Sequence, residues 1–146
     1  MELKHNKMKL LGIDFGTKRM GIAVSDDEAS FAFPVKTLEV SNSLFEDIEK
    51  IIEERQTQAV VLGDPGNDPG VAETRKKVLE FKDTLEKRGL TVFLQSEMMT
   101  SLNTDLFGTK KPIANKRGGE QKEKHDESAA ALILQRYLDK KSLTKK

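Results

Sequence analysis

Residues 10–18 read Leu-Leu-Gly-Ile-Asp-Phe-Gly-Thr-Lys: an apolar stretch ends in one carboxylate, Asp14, and breaks into a glycine turn. A carboxylate at the end of a buried strand is costly unless a cation or a hydrogen-bond donor meets it. The alternative is an aspartate that opens a tight turn through Gly16. Two further acids stand at element ends. Glu97 lies just beyond the last expected strand, and Asp126 opens the last expected helix. If the first and last strands are neighbours, Asp14 and Glu97 project from one end of the sheet, and Asp126 reaches them from the helix start. Carboxylates that converge without basic partners repel one another, and their pKa values rise. A divalent cation relieves that repulsion, and an all-oxygen donor set suits Mg²⁺ or Mn²⁺ better than zinc. Taken singly, Asp126 is equally an N-cap, and Glu97 an ordinary surface acid.

The elements that must position these acids are legible from periodicity. Met8–Ile13 is mostly apolar, as a central strand buried on both faces would be. Met20–Val24 pairs with it across a Gly16-Thr17-Lys18-Arg19 turn, which gives an antiparallel hairpin. A third strand covers Ala32–Leu38, with Pro34 placing its start at a sheet edge. Leu44, Phe45, Ile48, Ile51 and Ile52 recur at helical spacing, to about Arg55, behind a Ser41 or Ser43 cap. Ala59–Gly63 is a short buried strand running into the turn-rich loop Asp64–Gly70. A long helix over Val71–Arg88 stops at Gly89, followed by a strand at Leu90–Leu94 and a short helix at Thr100–Phe107. Residues 108–124 lack apolar periodicity and are expected to form a flexible basic loop; Ser128–Leu138 is an Ala-rich closing helix. An antiparallel meander followed by alternating helix and strand implies a mixed sheet covered by helices, an α/β architecture.

The 146 residues suffice for one domain spanning 1–146, with both termini frayed. Lys and Arg number 25 against 24 acids, so net charge does not select a partner; local clusters must. Two such clusters exist. Lys18 and Arg19 lie in the hairpin turn near Asp14, and Lys110, Lys111, Lys116, Arg117, Lys122 and Lys124 crowd the 108–124 loop. Such groups bind phosphates without reading sequence, although a solvated flexible segment explains the loop equally well. The absence of cysteine rules out disulfides and thiolate metal sites. With no apolar signal run and nothing near a membrane span, a cytoplasmic protein is expected, with no membrane partner.

At this point the chain resembles the RuvX/YqgF family of RNase H-like proteins, described as Holliday-junction resolvases and as pre-16S rRNA nucleases. The resemblance runs from about Leu10 to Leu138 and is most specific in Gly12-Ile-Asp-Phe-Gly-Thr-Lys-Arg-Met-Gly-Ile-Ala-Val-Ser-Asp26. Val60–Gly63 with Pro65, Asn67 and Gly70 follows the family's glycine-proline-asparagine loop, and Asp126–Leu138 its closing helix. The resemblance implies an RNase H-like fold with a five-stranded mixed sheet, and puts Asp14, Glu97 and Asp126 on the expected acidic positions. It implies two Mg²⁺ (or Mn²⁺) ions held by those acids. The activity implied is metal-dependent hydrolysis of phosphodiesters in precursor rRNA or branched DNA, leaving 5′-phosphate and 3′-hydroxyl ends. A monomer suffices for rRNA trimming, whereas symmetric junction resolution favours a homodimer.

Two departures from the family pattern stand out. The usual Asp-Glu-Arg-Leu-Thr-Thr reads Ser96-Glu97-Met98-Met99-Thr100-Ser101, and Asp64 replaces an apolar residue. The acid is kept while its neighbours are lost, so a nucleic-acid-binding protein with weak or lost catalysis is the alternative to a nuclease. Gly12–Thr17 also resembles the first phosphate loop of the actin, Hsp70 and sugar-kinase superfamily. Those proteins hold ATP between two such domains, and this chain has length for one.

Overall fold

The computed structural model describes residues 8–97 and 129–141. The expected helix at 100–107, the basic loop 108–124, Asp126 and the termini lie outside the described residues.

Leu10–Asp14 (β1) and Arg19–Ser25 (β2) form the antiparallel hairpin, and Ala32–Glu39 (β3) adds antiparallel to β2. Leu44–Arg55 (α1) leads to Ala59–Asp64 (β4), and Ala72–Lys87 (α2) leads to Val92–Ser96 (β5). Both later strands run parallel to β1, and the sheet order is β3-β2-β1-β4-β5. A final helix covers residues 129–141 (α3). This is the mixed five-stranded sheet with an antiparallel start that the strand and helix pattern implies.

The order corrects one expectation. β1 and β5 are not neighbours, because β4 lies between them. The carboxyl ends of β1, β4 and β5 nevertheless share one edge, since the three strands are parallel. Strand boundaries also move. The ladder carries β1 through Asp14 and β4 through Asp64, beyond the apolar runs that suggested them. β5 begins two residues later than its apolar run because the preceding residues complete the α2 terminus. The Gly89 amide donates to the Glu86 carbonyl at 2.9 Å, and the Leu90 amide to the Leu85 carbonyl at 3.1 Å. A single 3₁₀ turn, Pro69–Val71, replaces the expected first residue of α2.

Alternation along each strand sorts side chains onto two faces. Leu11, Ile13, Ile22, Val60 and Leu62 pack beneath α1 and α2 with Ile48, Val78, Phe81 and Leu85. Leu10, Ala23, Ala59 and Val61 pack against Ala130, Ile133, Leu134 and Leu138 of α3. Burying each large aliphatic chain contributes about 1.5–3 kcal/mol, which makes these two layers the main source of stability. Arg88 ties α1 to α2, donating to Glu49 at 2.8 and 3.2 Å while lying over the Phe45 ring. Pro34 sits on β3, an edge strand, where its missing N–H is tolerated.

Candidate active site

Asp14 is the last residue of β1 and sits on the α3 face, two residues after Gly12. Continuing the β1–β4 register by one step brings Asp14 beside Gly63, and Gly63 is paired with Gln95 of β5. Asp14, Gly63 and Gln95 therefore form one row across the sheet, on one face. Glu97 lies two residues beyond Gln95, and its amide donates to the Asp64 carbonyl at 3.0 Å, which extends the β4–β5 ladder.

The middle of that row has no side chain. A Cβ built on Gly63 would collide with Glu97 Oε2 and approach Ile133 Cδ1 to 2.8 Å. The Glu97 carboxylate thus occupies the space over Gly63, beside Asp14's position in the row. Gly12 has the same role one step back, where a Cβ would meet Leu134 Cβ at 2.8 Å and the Ala130 carbonyl at 3.1 Å. These two glycines let α3 settle directly onto the backbone of β1 and β4. Ile133 meets Gly63, and Tyr137 stacks with Phe93 of β5, two residues back along the sheet. The N-terminal end of α3 is consequently directed toward the edge that carries Asp14 and Glu97.

The electrostatics of the edge are uneven. Burial pushes the Glu97 carboxyl above the ordinary glutamate range, and the negative charge of Asp64 pushes it further. Asp64 moves the other way. Its side chain faces α2, where Arg75 donates through Nε at 2.9 Å and Nη2 at 3.3 Å, and the Gly66 amide donates at 2.9 Å. The Arg75 hydrogen bond, with help from Gly66 and the guanidinium charge, outweighs burial and holds Asp64 below its usual value. Asp64 is therefore an ion-paired acid held against α2, while Glu97 is a desolvated acid facing α3.

Gln95 completes the row. It is 4% exposed, its Nε2 donates to the Ser96 carbonyl at 3.2 Å, and its Oε1 has no hydrogen-bond partner among the described residues. Lys18 and Arg19 are exposed at the β1–β2 turn, on the same edge as the end of β1. Asp126, Lys110, Lys111, Lys116, Arg117, Lys122 and Lys124 lie outside the described residues. Among the described residues no group of three or more His, Asp or Glu side chains is gathered for a metal ion. Sequence reasoning passed over Gly63 and Gln95. The signal for Gln95 was a long polar side chain directly after an apolar run, and for Gly63 a glycine between a buried run and an acid. The Arg75 partner of Asp64 carried no local signal.

Fold and edge together define an RNase H-like α/β domain with acids at the carboxyl ends of its parallel strands. RuvC of Thermus thermophilus, solved in complex with a Holliday junction substrate, shares this fold. The likeness has a TM-score of 0.53 at 16% identity, covering 90% of this chain and 93% of that one. A family model described as "RuvX: Holliday junction resolvase" matches residues 8–140, and the chain belongs to this family. A Maridesulfovibrio salexigens protein named "Putative pre-16S rRNA nuclease" is 34% identical over 135 residues, covering 90% of this chain and 98% of the relative. An Agathobacter rectalis protein of the same name is 37% identical over 139 residues, covering 90% and 95%. No described helix is long and apolar enough to cross a membrane.

Proposed function

We propose that this protein is a metal-dependent nuclease that hydrolyses phosphodiester bonds in structured nucleic acid, with the 5′ end of precursor 16S rRNA as its substrate. The observation that carries the reading is the pair Asp14 and Glu97 on one face of one sheet edge, with Gly63 opening the space between them. The names of the full-length relatives support rRNA as substrate, and the family description supports the second candidate, a four-way DNA junction.

The donor set fits a hard divalent cation. Asp14 and Glu97 offer oxygen only, and Glu97 is a desolvated acid that a cation would stabilise in its charged form. Asp14, Glu97 and Asp126 would hold Mg²⁺ or Mn²⁺, two ions in all. Bound there, the ions supply Lewis-acid charge at the scissile phosphate and lower the pKa of the attacking water. The chain itself orients the parts. The β4–β5 ladder fixes the backbone of Glu97, and α3 lying on Gly12 and Gly63 shields one side of the site from water. Lys18 and Arg19 meet flanking phosphates, which gives binding that weakens as salt rises. Attack by water in line with the leaving 3′ oxygen gives 5′-phosphate and 3′-hydroxyl products.

Parallel cleavage assays on precursor 16S rRNA and on four-way junction DNA, with Mg²⁺ and with EDTA, test this reading. Mg²⁺-dependent trimming of the rRNA supports it as stated. Cutting confined to the junction moves the substrate to DNA. Tight, salt-sensitive binding with no cutting of either favours a nucleic-acid-binding protein without catalysis.

A further inference from the structure

Among the described residues, four buried side-chain polar atoms lack a hydrogen-bond partner: Thr37 Oγ1, Thr57 Oγ1, Gln95 Oε1 and Arg136 Nε. An orphaned buried acceptor is uncommon in a folded protein and asks for an explanation. Gln95 stands in the row that runs from Asp14 through Gly63. Its amide orientation follows from its surroundings. Nε2 donates to the Ser96 carbonyl at 3.2 Å, and a flipped amide would set two acceptor oxygens against each other. The orphan is therefore an oxygen, the donor type that hard cations select.

We propose that Gln95 Oε1 is an additional oxygen ligand of the divalent cation held by Asp14 and Glu97; this rests on the nuclease reading above. Asp14 and Gln95 are separated by two strand spacings, roughly 10 Å between backbones. Gly63 puts no side chain between them, and the Glu97 carboxylate occupies that space. With a glutamine on one side of Gly63 and an aspartate on the other, the two oxygens can meet one ion at oxygen–metal distances of about 2.1 Å. At 4% exposure, Gln95 has little access to bulk water that could otherwise satisfy this oxygen.

The test is calorimetric titration of the full chain with Mn²⁺, comparing wild type with Gln95→Met, Gln95→Glu and Asp14→Asn. Gln95→Met keeps the length of the side chain and removes its oxygen; it should weaken Mn²⁺ binding by roughly 10-fold or more. Its Tm in EDTA should fall only slightly, because the substitution also removes the 3.2 Å bond from Nε2 to the Ser96 carbonyl, and the Mn²⁺ affinity is therefore compared at a temperature where both proteins are folded. Gln95→Glu adds a charged oxygen at the same reach and should tighten binding. Wild-type affinity in Gln95→Met overturns the proposal, and loss of binding in Asp14→Asn alongside it leaves the nuclease reading standing. If Gln95→Met fails to fold, Gln95→Glu decides alone: tighter binding supports the ligand role, and unchanged or weaker binding overturns it. A wild-type protein that binds no Mn²⁺ overturns both the proposal and the metal-dependent reading.

Discussion

The Glu97 carboxylate lies where a side chain on Gly63 would be. One residue supplies an acid and the other supplies the absence that admits it. Both atoms a new Cβ would strike, Glu97 Oε2 and Ile133 Cδ1, are the far ends of flexible side chains. Gly63→Ala should therefore displace Glu97 without disrupting the sheet. Cleavage should fall by roughly 100-fold, the scale of a misplacement near 1 Å, while stability changes by less than about 1 kcal/mol. Single-turnover rates and thermal melts of the variant check this. An active Gly63→Ala enzyme would mean that Glu97 has no need of that space.

Gly12→Ala should behave in the opposite way. Its new Cβ would meet Leu134 Cβ at 2.8 Å and a backbone carbonyl of α3 at 3.1 Å, neither of which can rotate aside. The helix must lift from the sheet, so overpacking should cost about 1–3 kcal/mol. Urea unfolding measures that loss. A variant as stable as wild type would contradict the close approach of α3.

The contrast between these two glycines marks what the sequence makes legible. The apolar runs at Leu10–Ile13 and Ala59–Leu62 and the helical spacing of Leu44–Ile52 are local signals, and they lead directly to β1, β4 and α1. The strand order is not local. Nothing in the residues of β1 or β5 says that β4 lies between them, because that is decided by which apolar faces pack together. The same holds for the site. Asp14 and Glu97 were recognisable as acids at element ends, but their shared face depends on register. The importance of Gly63 and Gln95 follows from that register alone. Arg75 lies 11 residues from Asp64, and only the fold brings them into contact.

The Asp64–Arg75 pair predicts a pH dependence with a definite sign. Arg75 holds the Asp64 carboxyl below its unfolded value of about 3.9. Folding therefore favours the charged form, and the contribution to stability is fully present above that pH. It fades as pH falls through the depressed folded value. Arg75→Met should lower stability at neutral pH and converge with wild type in strong acid. Denaturant unfolding across the acid range checks this; a gap between the two proteins that stays constant with pH would show that Arg75 acts through packing.

The central claim is that Asp14 holds the cation on which cleavage depends. Asp14→Asn keeps the size of the side chain and removes its charge, so the hairpin and the sheet should stay intact. The most direct measurement is the Mg²⁺-dependent cleavage rate of wild type and Asp14→Asn on precursor 16S rRNA and four-way junction DNA, with Tm measured alongside. Loss of cleavage by roughly 100-fold or more, with a cooperative melt retained in EDTA, is the predicted result. Cleavage by Asp14→Asn at the wild-type rate would contradict the account.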